Sequence, residues 1–313
     1  LSSVATHIKK NSGKYIAVAA AGNLAYNISK SVYGRNMISN IKKQIVSYLP
    51  VSEAILGNVF NKRYIFEKEI GSGSYGRAAI YNNVKTNEKV IIKTIRVPKN
   101  DINMLIYIES ELKIYKYIKS VGCNNYITCY IEDAAFDDML YIVFKYDANM
   151  LDLSKITPQL TDEIKDKIVI NLINGLAWLH KHNIAHNDIK PENIIANKDT
   201  GDIKYIDFGI SCINSCTMAS GGTAEYMSPQ MVYRITSGTT DLLPFKEALG
   251  NDIHALGVTI SKLYNSKVPE KYINIVNKMK KEYNRTTIKD IQKDLNIKIN
   301  STSVKSFWSW FGF

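Results

Sequence analysis

The chain lacks any run of the roughly 18 to 20 apolar residues that a bilayer-spanning helix needs. The apolar stretch from Ile16 to Ala25 is short, and Asn23 and the nearby Asn27 suit a packed helix better than hydrocarbon. Cysteine is also scarce: Cys123, Cys129, Cys212 and Cys216 show no C-x-x-C spacing. That excludes a disulfide-built scaffold and favours ordinary thiols in a reducing compartment over a Cys212–Cys216 redox pair. Acidic side chains are nearly absent before position 60, where Lys9, Lys10, Lys14, Lys30, Arg35, Lys42 and Lys43 oppose only Glu53. The formal charge of +11 suits anionic partners such as nucleotide, lipid, nucleic acid or acidic protein, and equally suits a merely basic surface; charge alone does not choose.

What is present is a globular composition over 313 residues, enough for one large core or two modest ones. Residues 1–60 carry helical spacing, with Ile38, Ile41, Ile45, Val46 and Leu49 grouped before Pro50, and read as a basic helical extension. From Tyr64 the pattern changes to short strands, Tyr64 to Ile70, Ala78 to Asn82 and Val90 to Ile95, rich in β-branched residues. A helix is expected over Asp101 to Lys119, then strands over Tyr126 to Glu132 and Leu140 to Tyr146. Apolar residues at helical spacing predict a long helix over Asp162 to Lys181, and later helices are expected over Asp252 to Tyr264, Glu270 to Tyr283 and Thr287 to Leu295. A strand-rich first part and a helical second part imply two lobes with a hinge near Lys145 to Asn149.

Three motifs carry chemistry. Gly71-Ser72-Gly73-Ser74-Tyr75-Gly76 lies between expected strands, where missing β-carbons let backbone N–H groups approach phosphate oxygens; a tight hairpin is the plainer reading. No Gly-Lys-Ser/Thr completes a Walker loop, and no helix follows as a dinucleotide fold requires. Lys93 ends an apolar strand, and Glu111 on the next helix is a suitable anchor for its ammonium, with a purely structural ion pair as the alternative. Glu109, two positions away on that helix, points elsewhere. His186-Asn187-Asp188-Ile189-Lys190-Pro191-Glu192-Asn193, followed by Asp207-Phe208-Gly209, places a base, a cation and two metal-binding groups in a fixed order. That set suits phosphoryl transfer: Asp188 accepts a hydroxyl proton, Lys190 offsets charge, and Asn193 and Asp207 hold metal.

These motifs resemble those of eukaryotic-type Ser/Thr protein kinases, over approximately Tyr64 to Leu295. The resemblance implies an α+β, bilobal fold, with an antiparallel-sheet N-lobe carrying one main helix (61–146) and a mostly helical C-lobe (147–300), leaving an aromatic tail at 301–313. It implies ATP with Mg²⁺, or Mn²⁺ in its place, as cofactors. Nucleotide contacts fall to Gly71, Ser72, Gly73, Ser74, Tyr75, Gly76, Ala78, Lys93, the gatekeeper Phe144, and Lys145, Tyr146 and Asp147. Asp188, Lys190, Lys93 and Glu111 become the catalytic set, and Asn193 and Asp207 the metal ligands. Thr223 together with Lys190 matches the Ser/Thr-directed pattern, so the expected partner is a protein carrying a Ser or Thr acceptor. Asp252 matches an aspartate of the helix that follows, and Gln230 is expected to contact Arg285.

The chain departs from the family at several points. Asn187 replaces the usual arginine that reads a phosphorylated loop, so activity is expected to depend less on phosphorylating Ser215, Thr217 or Ser220. Gln230 replaces a glutamate, turning its expected bond with Arg285 from a salt bridge into a neutral-to-ion contact, and His254 stands where tryptophan is common. Ile91 replaces a small residue over the adenine site, where extra methyl groups cost about 1 to 3 kcal/mol if the backbone cannot adjust; Ala78 returns some volume. An apparent insertion occupies Gly238 to Leu249. The reading is therefore an ATP-dependent protein Ser/Thr kinase, with a catalytically weak nucleotide-binding scaffold as the alternative. The extension and the tail, Phe307 to Phe313, are expected to meet a protein partner, the chain's own surface or a membrane periphery; nucleic acid is not favoured. The expected location is the cytoplasm, of a host cell if the abundant Asn, Ile and Lys reflect a viral or parasite genome.

Overall fold

Alternating side chains build the first lobe. The computed structural model describes residues 62–73, 76–97, 102–136, 138–216 and 221–297. The expectations for residues 1–60, for the aromatic tail, for Ser74 and Tyr75, and for Thr217 and Ser220 lie outside them. Strands β1 (Tyr64–Gly73), β2 (Gly76–Asn83), β3 (Lys89–Arg96), β4 (Tyr130–Phe136) and β5 (Met139–Lys145) form one antiparallel sheet in the order β1-β2-β3-β5-β4. Along β3, Val90 and Ile92 point to one face and are buried with Tyr64 and Val143. The period of two sends Ile91 and Lys93 to the other face, toward helix α1 (Ile102–Ser120) and the second lobe.

β4 starts later than the expected Tyr126. Tyr126 and Thr128 give backbone bonds to the second lobe instead: Tyr205 N–H donates to Tyr126 O at 2.8 Å and Thr128 N–H donates to Tyr205 O at 3.3 Å. Backbone groups at this crossing are satisfied between lobes rather than within the sheet.

The second lobe is mostly helical. After β6 (Met150–Asp152) and the short α2 (Leu153–Ile156), helix α3 covers Asp162–Lys181 as its periodicity requires. Thr161 caps it by accepting Ile164 N–H, and Ile168, Leu172, Ile173, Leu176 and Leu179 are buried. Strands β7 (Ile184–Ala185) and β10 (Cys212–Ile213) pair with each other, and β8 (Ile194–Asn197) joins β6 to β9 (Ile203–Tyr205). Helices α4 (Pro229–Thr236), α5 (Phe245–Leu263), α6 (Glu270–Lys281) and α7 (Ile288–Asp294) complete the described lobe. The expected start of α5 at Asp252 is too late. The end of the apparent insertion, Phe245 to Leu249, is the opening of this helix, entered through Pro244 at its N-cap. One apolar core runs from Ile108 and Leu112 on α1 through Phe208 to Leu172 and Leu256 and joins the lobes.

The cysteine expectation is corrected. Cys123 bonds Cys129 and Cys212 bonds Cys216. Neither spacing is a familiar motif; a turn after α1 makes the first pair neighbours, and a bend after β10 the second.

Candidate functional site

The site forms where β3, α1 and the loops after β7 and β9 meet. Lys93 Nζ donates to Glu111 Oε1 at 2.6 Å and to Asp207 Oδ1 at 3.1 Å. Glu111 is completely buried, and Glu109 takes no part in the pair. Burial works against the Lys93 cation, but the Asp207 and Glu111 charges outweigh it and hold its pKa above the ordinary lysine value. Burial likewise pushes the Asp207 carboxyl up, and the Lys93 charge and hydrogen bond more than reverse that, so it stays below the ordinary aspartate value. Burial raises the Glu111 carboxyl above the ordinary glutamate value against the pull of the Lys93 charge, so the charged pair these shifts support is the Lys93 cation with the Asp207 carboxylate.

The residues of the His186 to Asn193 loop converge a short distance away. Asp188 Oδ2 accepts from Lys190 Nζ at 2.7 Å and from Asn193 Nδ2 at 2.7 Å, while Oδ1 accepts from Thr223 N–H at 2.9 Å and from the Thr223 hydroxyl at 2.8 Å. Lys190 Nζ also donates to Thr223 Oγ1 at 2.6 Å. The threonine hydroxyl therefore donates to a carboxylate and accepts from an ammonium, the two contacts an incoming alcohol needs.

The loop owes its shape to Asp252 on α5. Its fully buried carboxylate accepts His186 N–H at 2.8 Å and Asn187 N–H at 2.7 Å and sits 3.0 Å from His180 Nε2. Asn187 and Asp207 both hold left-handed backbones, φ 65° and 63°, a strain that surrounding bonds must over-determine. Asn187 supplies some of those bonds, since its Nδ2 donates to Ile210 O at 3.2 Å and to Cys212 Sγ at 3.5 Å. The amide ties the loop directly where the family pattern carries an arginine.

On the nucleotide side, Gly71 to Gly73 end β1 opposite Gly76 and Ala78 on β2. A β-carbon at Gly76, φ 144°, would lie 2.3 Å from Thr94 O, so only glycine fits there. Ala78 stands across from Lys93, and Ile91 across from Phe144. Ile91 is half-buried against the main core. Lys145 N–H is committed to Cys129 O at 2.9 Å, Asp147 O accepts Met150 N–H, and Tyr146 lies between them at the lobe crossing.

Gln230 and Arg285 are not brought together. Arg285 is exposed, while Gln230 N–H donates to the Tyr283 hydroxyl at 3.3 Å and His254 packs edge-on against the Tyr283 ring. A different ion pair, Arg234 to Glu247 at 3.5 Å, links α4 to α5.

Reading the motifs alone missed Tyr107 and Tyr115, which sit one turn before and one turn after Glu111 on α1. Tyr115 meets Phe208 at 5.5 Å and Phe144 at 4.7 Å edge-on, and Phe208 in turn meets His186 at 4.9 Å. The four-residue spacing from Glu111 was the available signal.

The sequence has counterparts among known proteins. A family model described as "Protein kinase domain" matches residues 64–310. The chain belongs to the protein kinase domain family. The kinase domain is 27% identical over 213 residues to the serine/threonine-protein kinase ppk25 of Schizosaccharomyces pombe, covering 66% of this chain and 47% of that protein. It is 29% identical to mitogen-activated protein kinase kinase kinase 15 of Mus musculus (64% of this chain, 14% of that one) and 29% identical to the serine/threonine-protein kinase TAO3 of Xenopus laevis (64% and 21%). The chain thus spans less than half the length of these relatives.

The donor set fits the metal and nucleotide that a kinase domain uses. Among the described residues no cluster of three or more His, Cys, Asp or Glu could cage an ion by itself. One carboxylate and one amide instead suit a hard divalent cation whose remaining ligands are phosphate and water, and the nearby ammonium suits the phosphate. No helix of the described residues is long and apolar enough to cross a membrane.

Proposed function

We propose that the chain phosphorylates serine or threonine hydroxyls of protein substrates, using ATP with Mg²⁺ or Mn²⁺. The observation that carries this reading is the double contact of Lys93 with Glu111 and Asp207, beside an Asp188 carboxylate held by Lys190, Asn193 and Thr223. A metal–nucleotide complex, when bound, supplies the phosphoryl group and neutralises its charge. Lys93, oriented by Glu111, holds phosphate oxygens; Asp207 and Asn193 hold the metal. Asp188 Oδ1 exchanges the Thr223 hydroxyl for the substrate hydroxyl, orients it and accepts its proton, and Lys190 offsets charge on the transferred group. Residues 61–146 and 147–300 act as the two lobes, with Phe144 to Asp147 beside the base. Gly71 to Gly76 cover the phosphates. Asp252 supports the loop; Gln230 shapes the acceptor side. The Asn187 contacts support activity without phosphorylation at Ser215, Thr217 or Ser220.

The test is transfer of labelled phosphate from ATP and Mg²⁺ to a generic basic protein or to the chain itself. Transfer by the unchanged protein that Asp207→Asn abolishes is the expected result. Nucleotide binding without transfer across several acceptor classes would instead favour a binding scaffold, the reading Ile91 suggests.

A further inference from the structure

We infer that Tyr107 is a positioning residue for the metal-binding carboxylate, an inference that rests on the phosphoryl-transfer reading above. Tyr107, Glu111 and Tyr115 recur every four residues along α1 and form one stripe facing Asp207-Phe208-Gly209. Each member of the stripe meets a different part of that tripeptide. Glu111 reaches Asp207 through Lys93, and Tyr115 packs on Phe208. Tyr107 does two things at once: its hydroxyl donates to Asp207 Oδ1 at 3.3 Å, and its ring tip lies against the Gly209 backbone. A β-carbon added at Gly209 would lie 1.8 Å from both Tyr107 Cζ and Oη, so Gly209 is the residue that gives the tyrosine its place.

The geometry divides the Asp207 carboxylate between two tasks. Lys93 and Tyr107 both donate to Oδ1; among the described residues Oδ2 receives no such bond, and it is the oxygen left for a ligand. The Asp207 side chain is 37% exposed, so the carboxylate is open to a ligand. A hydrogen bond to a carboxylate from a ring wedged in place fixes a rotamer as well as a distance. With Asp207 in a left-handed backbone, the orientation of its side chain depends on such contacts. Because Tyr107 is buried on the helix that carries Glu111, movement of α1 would release the metal ligand and the lysine together.

The experiment measures ATP affinity of the full chain by calorimetry, with Mg²⁺ and with chelator, for wild type and Tyr107→Phe. The variant keeps the ring and loses the hydroxyl. It should weaken ATP binding in Mg²⁺ by about tenfold, the worth of one hydrogen bond to a charged group, while binding in chelator and the melting temperature stay as in wild type. Equal weakening with and without metal, or no change in either, overturns the inference. Wild-type protein whose ATP binding does not respond to Mg²⁺ overturns both this inference and the reading beneath it. A second comparison uses Gly209→Ala: it should weaken Mg²⁺-dependent binding strongly in the wild-type background and by less than about twofold in Tyr107→Ala. Equal effects in both backgrounds would show that the ring contact carries no coupling.

Discussion

Asp252 concentrates most of what the His186 to Asn193 loop requires into one buried carboxylate. Two consecutive N–H groups, from His186 and Asn187, end on it, and they set the backbone that presents Asp188. Replacing it with asparagine keeps the size but leaves one of those donors facing an amide N–H instead of an oxygen. Asp252→Asn should lower unfolding free energy by about 1 to 3 kcal/mol and reduce turnover at saturating ATP more than it changes ATP affinity. Chemical denaturation and steady-state kinetics read the two effects, and unchanged turnover would separate this carboxylate from loop geometry. The neighbouring residue shows the limits of a motif. Asn187 in place of arginine was legible as a lost cation, whereas its bonds to Ile210 O and Cys212 Sγ depend on where a loop more than twenty residues later returns.

Helix spacing was legible where one face is buried along its whole length, as in α3, whose ends coincide with the expected Asp162 and Lys181. It was less legible in α5, because Lys246, Glu247 and Gly250 interrupt the apolar pattern of a helix start whose buried residues begin only at Ala248. Close approach explains another feature of α5. A β-carbon at Gly257 would lie 2.8 Å from Met279 Cβ and 3.1 Å from Lys280 Cγ on α6, so the helices cross on glycine. Valine there adds methyl groups with no space to take them, and Gly257→Val should cost about 1 to 3 kcal/mol by overpacking. Urea denaturation should show a lower midpoint with an unchanged slope; an unchanged midpoint would mean that the two helices separate freely. β4 makes the complementary point, since the residues before it were apolar enough to be a strand and were drawn away by Tyr205.

The two lobes share one core, so acid sensitivity is a property of the whole fold. Burial holds the His254 imidazole below its ordinary value of 6.5, against a smaller upward pull from its hydrogen bond to Tyr226 O. The unfolded chain therefore takes up this proton at a higher pH than the folded one. Stability from this group is complete above about 6.5 and falls as pH drops from there toward the folded value. Melting temperature should decline between pH 7.5 and 5.5 more steeply in wild type than in His254→Phe, which cannot titrate; parallel declines would assign the effect to other groups. By itself the sequence determined the residue types and short-range order of the site, Lys93, Glu111, Asp188, Lys190, Asn193 and Asp207, and the periodicities of the elements beneath them, because chain geometry is set over a few neighbours. Only the tertiary structure decided that Tyr107 reaches Asp207, that Tyr115 meets Phe208 edge-on, that the cysteines pair and that Arg285 stays outside. Those outcomes depend on packing between segments far apart in the chain, and no local preference encodes them.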